Sequence, residues 1–128
     1  MHPVIAICGG ACIGALARWR LGLWLNHPGA WLPWGTLAAN LIGAYAIGVI
    51  VVLIEQHPLL HPAWRLFWIT GLLGALTTFS SFSAEVVELL MLARWPQAAA
   101  TALAHLGGSL LLTYAGIRNA LFFIAARA

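Results

Sequence analysis

The 128-residue sequence has no lysine, no aspartate, three glutamates and two cysteines. Its charged residues make up 7% of the chain, against roughly 25% in an ordinary soluble domain. So few charges cannot cover the surface of a soluble protein. Intrinsic disorder is excluded as well, because it requires low hydrophobicity and abundant charge. The six arginines are scattered singly and form no basic stripe, which argues against a nucleic-acid partner despite the net charge of +3. Cys8 and Cys12 stand four apart in an apolar run; two ligands do not make a zinc site, and on a helix they share a face as small apolar residues. There is no Ser-His-Asp set, no carboxylate pair at a catalytic spacing, no GxGxxG and no P-loop, so enzyme chemistry has nothing to stand on. Met1-His2 carries no basic leader region, and the apolar start reads as a retained first span.

What the chain has in abundance is hydrophobicity, at 62% of residues and a mean hydropathy of +0.94. A membrane-spanning helix takes about 20 apolar residues, so the length suits four spans in one domain covering residues 1–128. Pro3 to Ala17 is the first, ending at the Arg18-Trp19-Arg20 cluster suited to a headgroup region. Gly35 to Ile54 is the second. The proline-punctuated Glu55 to Pro62 forms a loop in which His57 and His61 are solvated rather than metal ligands. Leu66 to Ala84, continued by Val86 to Leu92, is the third, and Gln97 to Ile117 the fourth. Gly10 and Gly14 form a GxxxG pair that permits close helix contact. With four spans both termini lie on one side, with Arg65, Arg118 and Arg127; Arg18, Arg20 and Arg94 lie on the other. Orientation follows arginine and lysine asymmetry. Here the sides balance, so insertion in both orientations is expected, which would make an antiparallel homodimer possible; an orientation fixed by a partner protein is the alternative.

Polar side chains inside a bilayer must face protein or a water-filled path. Thr36, Asn40 and Gly43 share one face of the second span, and Thr101, His105, Ser109 and Thr113 repeat every four residues on the fourth. Each stripe alone would serve helix-to-helix hydrogen bonding; two in so small a chain suggest a polar conduit. The densest set is Thr77-Thr78-Phe79-Ser80-Ser81-Phe82-Ser83, preceded by Gly71 and Gly74. Hydroxyl side chains compete for backbone hydrogen bonds and glycine disfavours helix, so the third helix should break near Thr77 to Ser80. Broken helices recur at ion sites because half-helix ends and freed carbonyls bind ions. Phenylalanine ring edges carry partial positive charge and can face an anion, as Phe79 and Phe82 could. Glu85 lies deep enough to require a partner.

Two segments, Gly35-Thr36-Leu37-Ala38-Ala39-Asn40-Leu41-Ile42-Gly43 and Gly71-Leu72-Leu73-Gly74-Ala75-Leu76-Thr77-Thr78-Phe79-Ser80-Ser81-Phe82-Ser83-Ala84-Glu85, resemble the Fluc (CrcB) family of fluoride channels. Gly10 to Arg18 resembles that family's first-helix signature, and the similarity covers essentially the whole chain. The resemblance implies an all-helical, multi-pass protein of the bacterial inner membrane, an antiparallel dual-topology homodimer with two pores that exports fluoride passively. It implies that Phe79 and Phe82 line fluoride sites with their ring edges, that Asn40 reaches into the pore with Thr36 near it, and that Ser80, Ser81 and Ser83 belong to the hydroxyl-rich break. It implies a structural sodium ion at the dimer centre, held by the Gly74 and Thr77 backbone carbonyls, and matches Arg18 to the first-helix arginine and Glu85 to the acid following the break. Ser109 and Thr113 are assigned to an expected polar track on the fourth helix. Two departures are small: Ser81 stands where the commoner pattern has threonine, and Ala75 where it has glycine.

The rival architectures are a small dual-topology multidrug transporter and a non-transporting membrane assembly subunit. The first needs a carboxylate in its first helix, and Pro3 to Ala17 has none. The second has no use for the Thr-Thr-Phe-Ser-Ser-Phe-Ser cluster.

Overall fold

The computed structural model describes residues 2–126; Arg127, counted above at the end of the fourth span, lies outside them. Among the described residues the structure is helical throughout, with four segments long and apolar enough to cross a membrane. Helix α1 covers Pro3–Leu25 and α2 covers Trp34–Glu55. The third span, Pro62–Met91, is composite. A turn of helix, α3 (Pro62–Arg65), leads into a π-helical stretch over Leu66–Leu73 and a last turn, α4 (Gly74–Leu76). After two extended residues, α5 runs over Phe79–Met91. The fourth span is α6 (Trp95–Ala125).

The expected helix break is present and sharper than the sequence suggested, confined to Thr77 (ψ 152°) and Thr78 (φ −148°, ψ 113°). Four boundaries differ from expectation, one being the third span, which opens at Pro62 rather than Leu66 because proline is tolerated in a helix's first turn. Helix α1 does not stop at Arg18-Trp19-Arg20 but continues to Leu25, because Leu21 to Leu25 is as apolar as what precedes it and no breaker intervenes before Asn26. Helix α6 outruns the expected Gln97 to Ile117 at both ends: Trp95-Pro96 opens it, since proline is tolerated in a helix's first turn, and Arg118 is exposed and carried on its surface. The turn before α6 lies at Leu92 to Arg94. There Ala93 takes a left-handed φ of 55°, and the Arg94 and Ala93 amides close back onto Leu89 and Leu90 at 2.9 and 3.0 Å. The π-helical stretch had no sequence signal.

The spans pack as two close pairs, α1 with the π-helical stretch and α2 with α6. Glycines set both distances. A side chain at Gly10 or Gly14 would run into the backbone carbonyls of Phe67 and Leu72, and Gly71 faces Gly10 from the other side. This is the close contact expected of the GxxxG pair. Gly48 and Gly116 do the same for α2 and α6. Ala39, Leu73 and Leu76 form the buried centre. The outer surface is apolar, with Leu103, Leu111, Trp24 and Phe122 all largely exposed, as lipid-facing residues are. Cys8 and Cys12 are free and point outward on α1. His57 and His61 sit in the loop region: His57 Nδ1 meets the Leu53 carbonyl and His61 caps Ala63. No group of three metal-ligating side chains occurs among the described residues.

Candidate functional site: a broken helix beside an aromatic cleft

Interrupting a helix at membrane depth frees backbone groups that lipid cannot satisfy. In this chain several are met by named side chains. Thr78 N–H, which a continuous helix would give to Gly74, donates instead to Asn40 Oδ1 at 2.7 Å. Asn40 Nδ2 returns a bond to the Thr78 carbonyl at 3.1 Å. The carboxamide of α2 thus pairs with Thr78 as a neighbouring strand would. Thr78 Oγ1 caps α5 by accepting from Ser81 N–H at 3.0 Å, the bond favoured at helix starts, and meets the Ser80 and Ser81 hydroxyls at 3.1 Å each. Arg18 Nε donates to the Ala75 carbonyl at 3.0 Å. The arginine that the sequence placed at a membrane interface therefore braces the end of α4. Its charge also suits a helix C-terminus, where the macrodipole is negative.

Among the carbonyls that lose their helical donors in this arrangement are those of Gly74 and Thr77. Gly74 loses Thr78 N–H to Asn40, and Thr77 loses Ser81 N–H to Thr78 Oγ1. Both residues border a cleft of about 420 Å³ lined also by Asn40, Phe79, Phe82, His105, Ser109 and Thr113. Phe79 and Phe82 meet edge to face, centroids 5.4 Å apart at 69°. Phe82 in turn stacks on the His105 imidazole at 4.8 Å and 22°. Phe79 is 78% exposed, so its ring projects beyond the chain's own packing. Thr113 donates its hydroxyl to the Ala44 carbonyl at 3.0 Å, while Thr101, fully buried, bonds its own helix at Gln97. The four-residue stripe on α6 thus divides: His105, Ser109 and Thr113 reach the cleft, and Thr101 does not.

Thr36 and Glu85 lie away from this cleft and form a second polar group. Thr36, buried, donates to Glu85 Oε1 at 2.5 Å. Asn26 supports it, accepting from Gly35 N–H at 2.7 Å and approaching Thr36 Oγ1 at 3.5 Å. Glu85 also borders a polar cavity of about 380 Å³ under the α1–α2 loop, with Glu88, Arg94 and His27. Ser80, Ser81 and Ser83 line neither cavity; Ser80 is exposed, and the other two are half-buried. The expected site residues therefore fall into a cleft group (Asn40, Phe79, Phe82, Ser109, Thr113 with the Gly74 and Thr77 carbonyls), a Thr36–Glu85 group, and hydroxyls at the head of α5. Asn26 went unassigned because Asn26-His27-Pro28-Gly29 reads only as a turn. The central position of His105 was equally hidden, since a stripe does not say which residue meets Asn40.

A family profile described as CrcB-like protein, Camphor Resistance (CrcB), matches residues 5–117. Similar proteins include one from Albidiferax ferrireducens, 64% identical over 125 residues, covering 98% of this chain and 95% of the relative. One from Paracidovorax citrulli is 57% identical over 122 residues (95% and 96%). One from Variovorax paradoxus is 59% identical over 117 residues (91% and 93%). Each of the three is named a fluoride-specific ion channel, FluC. With the match running from the first span to the fourth, and taking in the break and the side chains that brace it, this four-span membrane protein belongs to the CrcB-like family.

Proposed function

We propose that the chain is one protomer of a fluoride-selective channel that exports the ion passively across the bacterial inner membrane, working as an antiparallel dual-topology homodimer. The observation that carries this reading is the cleft itself: aromatic edges, hydroxyls and a carboxamide gathered beside a broken helix, in a chain up to 64% identical to proteins named as fluoride channels. Fluoride holds its water tightly, so a pore must replace that water with donors. Ring edges and the Ser109 hydroxyl, the one in the cleft with no acceptor among the described residues, can turn positive charge toward an anion without the fixed cation that would trap it. Arg18, the guanidinium beside the break, has its Nε committed to the Ala75 carbonyl. Hydrogen fluoride crosses the bilayer uncharged and dissociates inside. The membrane potential then drives the anion outward, at about 2.3 kcal/mol per charge per 100 mV.

Two features support a second copy. The cleft is open along one side of the chain, and Phe79 stands 78% exposed at its edge; a partner would cover both. The Gly74 and Thr77 carbonyls, both freed by the break in residues that border the same cleft, fit a hard cation such as sodium, which prefers oxygen ligands. Two carbonyls are too few to enclose an ion, and an antiparallel partner supplies the matching pair. Such an ion would join the protomers; conduction would rest on the side chains.

The test is fluoride efflux from liposomes holding the purified protein, with the membrane potential clamped by a potassium ionophore, and chloride-loaded vesicles and Phe82→Ile alongside. Fast fluoride release, no chloride release and a marked loss in the variant are expected. Folded, dimeric protein that releases no fluoride would overturn the reading and favour a transporter or assembly subunit.

A further inference from the structure

We infer that the π-helical stretch is a register device one residue deep, seated on Gly10 of α1. The residue it takes up decides which carbonyl Arg18 receives and which backbone amide Asn40 meets. The inference rests on the channel reading above and concerns what positions its break.

The glycine contacts reveal the offset. In the α2–α6 pair, a side chain at Gly48 would strike Thr113 O and Ile117 N, and one at Gly116 would strike Tyr45 O and Val49 N. Each is a carbonyl and an amide four residues apart, the two ends of one α-helical hydrogen bond. Gly71 meets such a pair on α1, Ile7 O and Ala11 N, and Gly14 meets Leu72 O and Leu76 N. Gly10 differs. It faces Phe67 O and Leu72 N, which are five apart, as the ends of a π-helical bond are. Gly10 and Gly14 thus stand four apart on α1 and meet carbonyls five apart on the third span. Farther on, Gly74 N–H reaches Ile69 O, five back, as well as Gly71 O, while Thr77 N–H reaches Leu73 O, four back, at 3.0 Å. The α-helical spacing has resumed before the break. Only glycine fits the seat: a first side-chain carbon at Gly10 would lie 2.2 Å from Phe67 O, whereas a glycine Cα–H can face a carbonyl across a helix interface.

The extra residue has consequences beyond the stretch. An α-helix built from the same Phe67 contact would bring Gly71 opposite Gly14, and every later residue would turn by about 100°. Gly74 would then stand in the place of Ala75 and give its carbonyl to Arg18. Thr77 would stand in the place of Thr78 opposite Asn40. In the observed register Arg18 Nε takes Ala75 O at 3.0 Å, and Asn40 pairs with Thr78. Arg18 is thereby kept off the Gly74 carbonyl, which borders the cleft. The stretch itself touches no ion; it positions the groups that brace and line the break.

Deletion tests this directly. Removing one residue from an ordinary membrane helix turns everything beyond it out of place. Removing one from the π-helical stretch should only restore an α-helical turn between Phe67 and Leu72. Thr70, exposed on the stretch, is the residue to delete; Ala46, between the Tyr45 and Gly48 contacts of α2, is the comparison. In fluoride efflux from liposomes, deletion of Thr70 should stay within about tenfold of wild type. Deletion of Ala46 should lose roughly a hundredfold or more. Two silent deletions, or two that conduct alike, overturn the inference. Rotational-echo NMR on wild-type protein in bilayers needs no variant to fold. With carbon-13 at the Phe67 carbonyl and nitrogen-15 at single sites, the carbon should lie nearer the Leu72 nitrogen than the Gly71 nitrogen. The reverse order overturns the inference whether or not the preparation conducts. Wild-type protein that shows the expected order and releases no fluoride overturns the channel reading instead, which keeps the two failures distinct.

Discussion

Replacing Asn40 by leucine should loosen the break without unfolding the bundle. The substitution removes both bonds to Thr78, at 2.7 and 3.1 Å, and leaves a backbone N–H and a carbonyl on a residue that is 8% exposed. Each buried unsatisfied group costs about 1–3 kcal/mol, so two set a ceiling of about 6 kcal/mol. Side-chain hydrogen bonds between membrane helices measure lower, about 0.6 kcal/mol on average, because the open state finds other partners. A local destabilisation of about 2–3 kcal/mol lies between these limits, equivalent to a roughly 30- to 150-fold loss of amide protection. Hydrogen exchange read by mass spectrometry, on a peptide spanning Thr77 to Phe82 in nanodiscs, measures it directly. Asn40→Asp keeps the acceptor for Thr78 N–H and loses the donor, and should fall between wild type and leucine. If that peptide keeps its protection within about twofold in Asn40→Leu, the carboxamide is not what holds the break.

Gly14→Val places a side chain against the Leu72 carbonyl and should cost about 1–3 kcal/mol as overpacking; a lower thermal midpoint in detergent is expected, with outward-facing Ala17→Val unchanged. Ala93→Gly relieves a left-handed alanine at φ 55° and should raise stability by about 0.5–1 kcal/mol, read from the same melts. Replacing sodium by N-methylglucamine should weaken the proposed dimer, seen as a shift toward monomer in single-molecule subunit counting in bilayers. An unchanged monomer fraction would remove the ion from the account.

The membrane class, the span count and the break were legible because each rests on composition or local propensity: no lysine or aspartate, four apolar runs, and five hydroxyls within Thr77 to Ser83. The close approach of α1 to the third span was legible through Gly10 and Gly14. Which polar atom meets which was not. Spacing puts Asn40 on a polar face with Thr36 and Gly43, but does not say that its three bonds go to Thr78 and His105, partners 38 and 65 residues distant along the chain. Arg18 reads as a headgroup anchor beside Trp19, but Leu21 to Leu25 extends α1 past it and turns it toward Ala75. The π-helical stretch over Leu66–Leu73 has ordinary apolar composition. Tertiary partners decide such features, and periodicity carries no record of them.

The braces of the break also bear on how the protein is made. Chains emerge and fold from the N-terminus, and Arg18 on α1 and Asn40 on α2 both precede Thr78. When the third span enters the bilayer, the groups that satisfy its interrupted backbone are already in place, so the break need never meet lipid bare. His105 arrives last, on α6, and its bond to Asn40 can form only once the fourth span has inserted. The cleft is thereby completed as the final step of assembly, and an incomplete chain would hold a supported break without the fourth wall of its cleft.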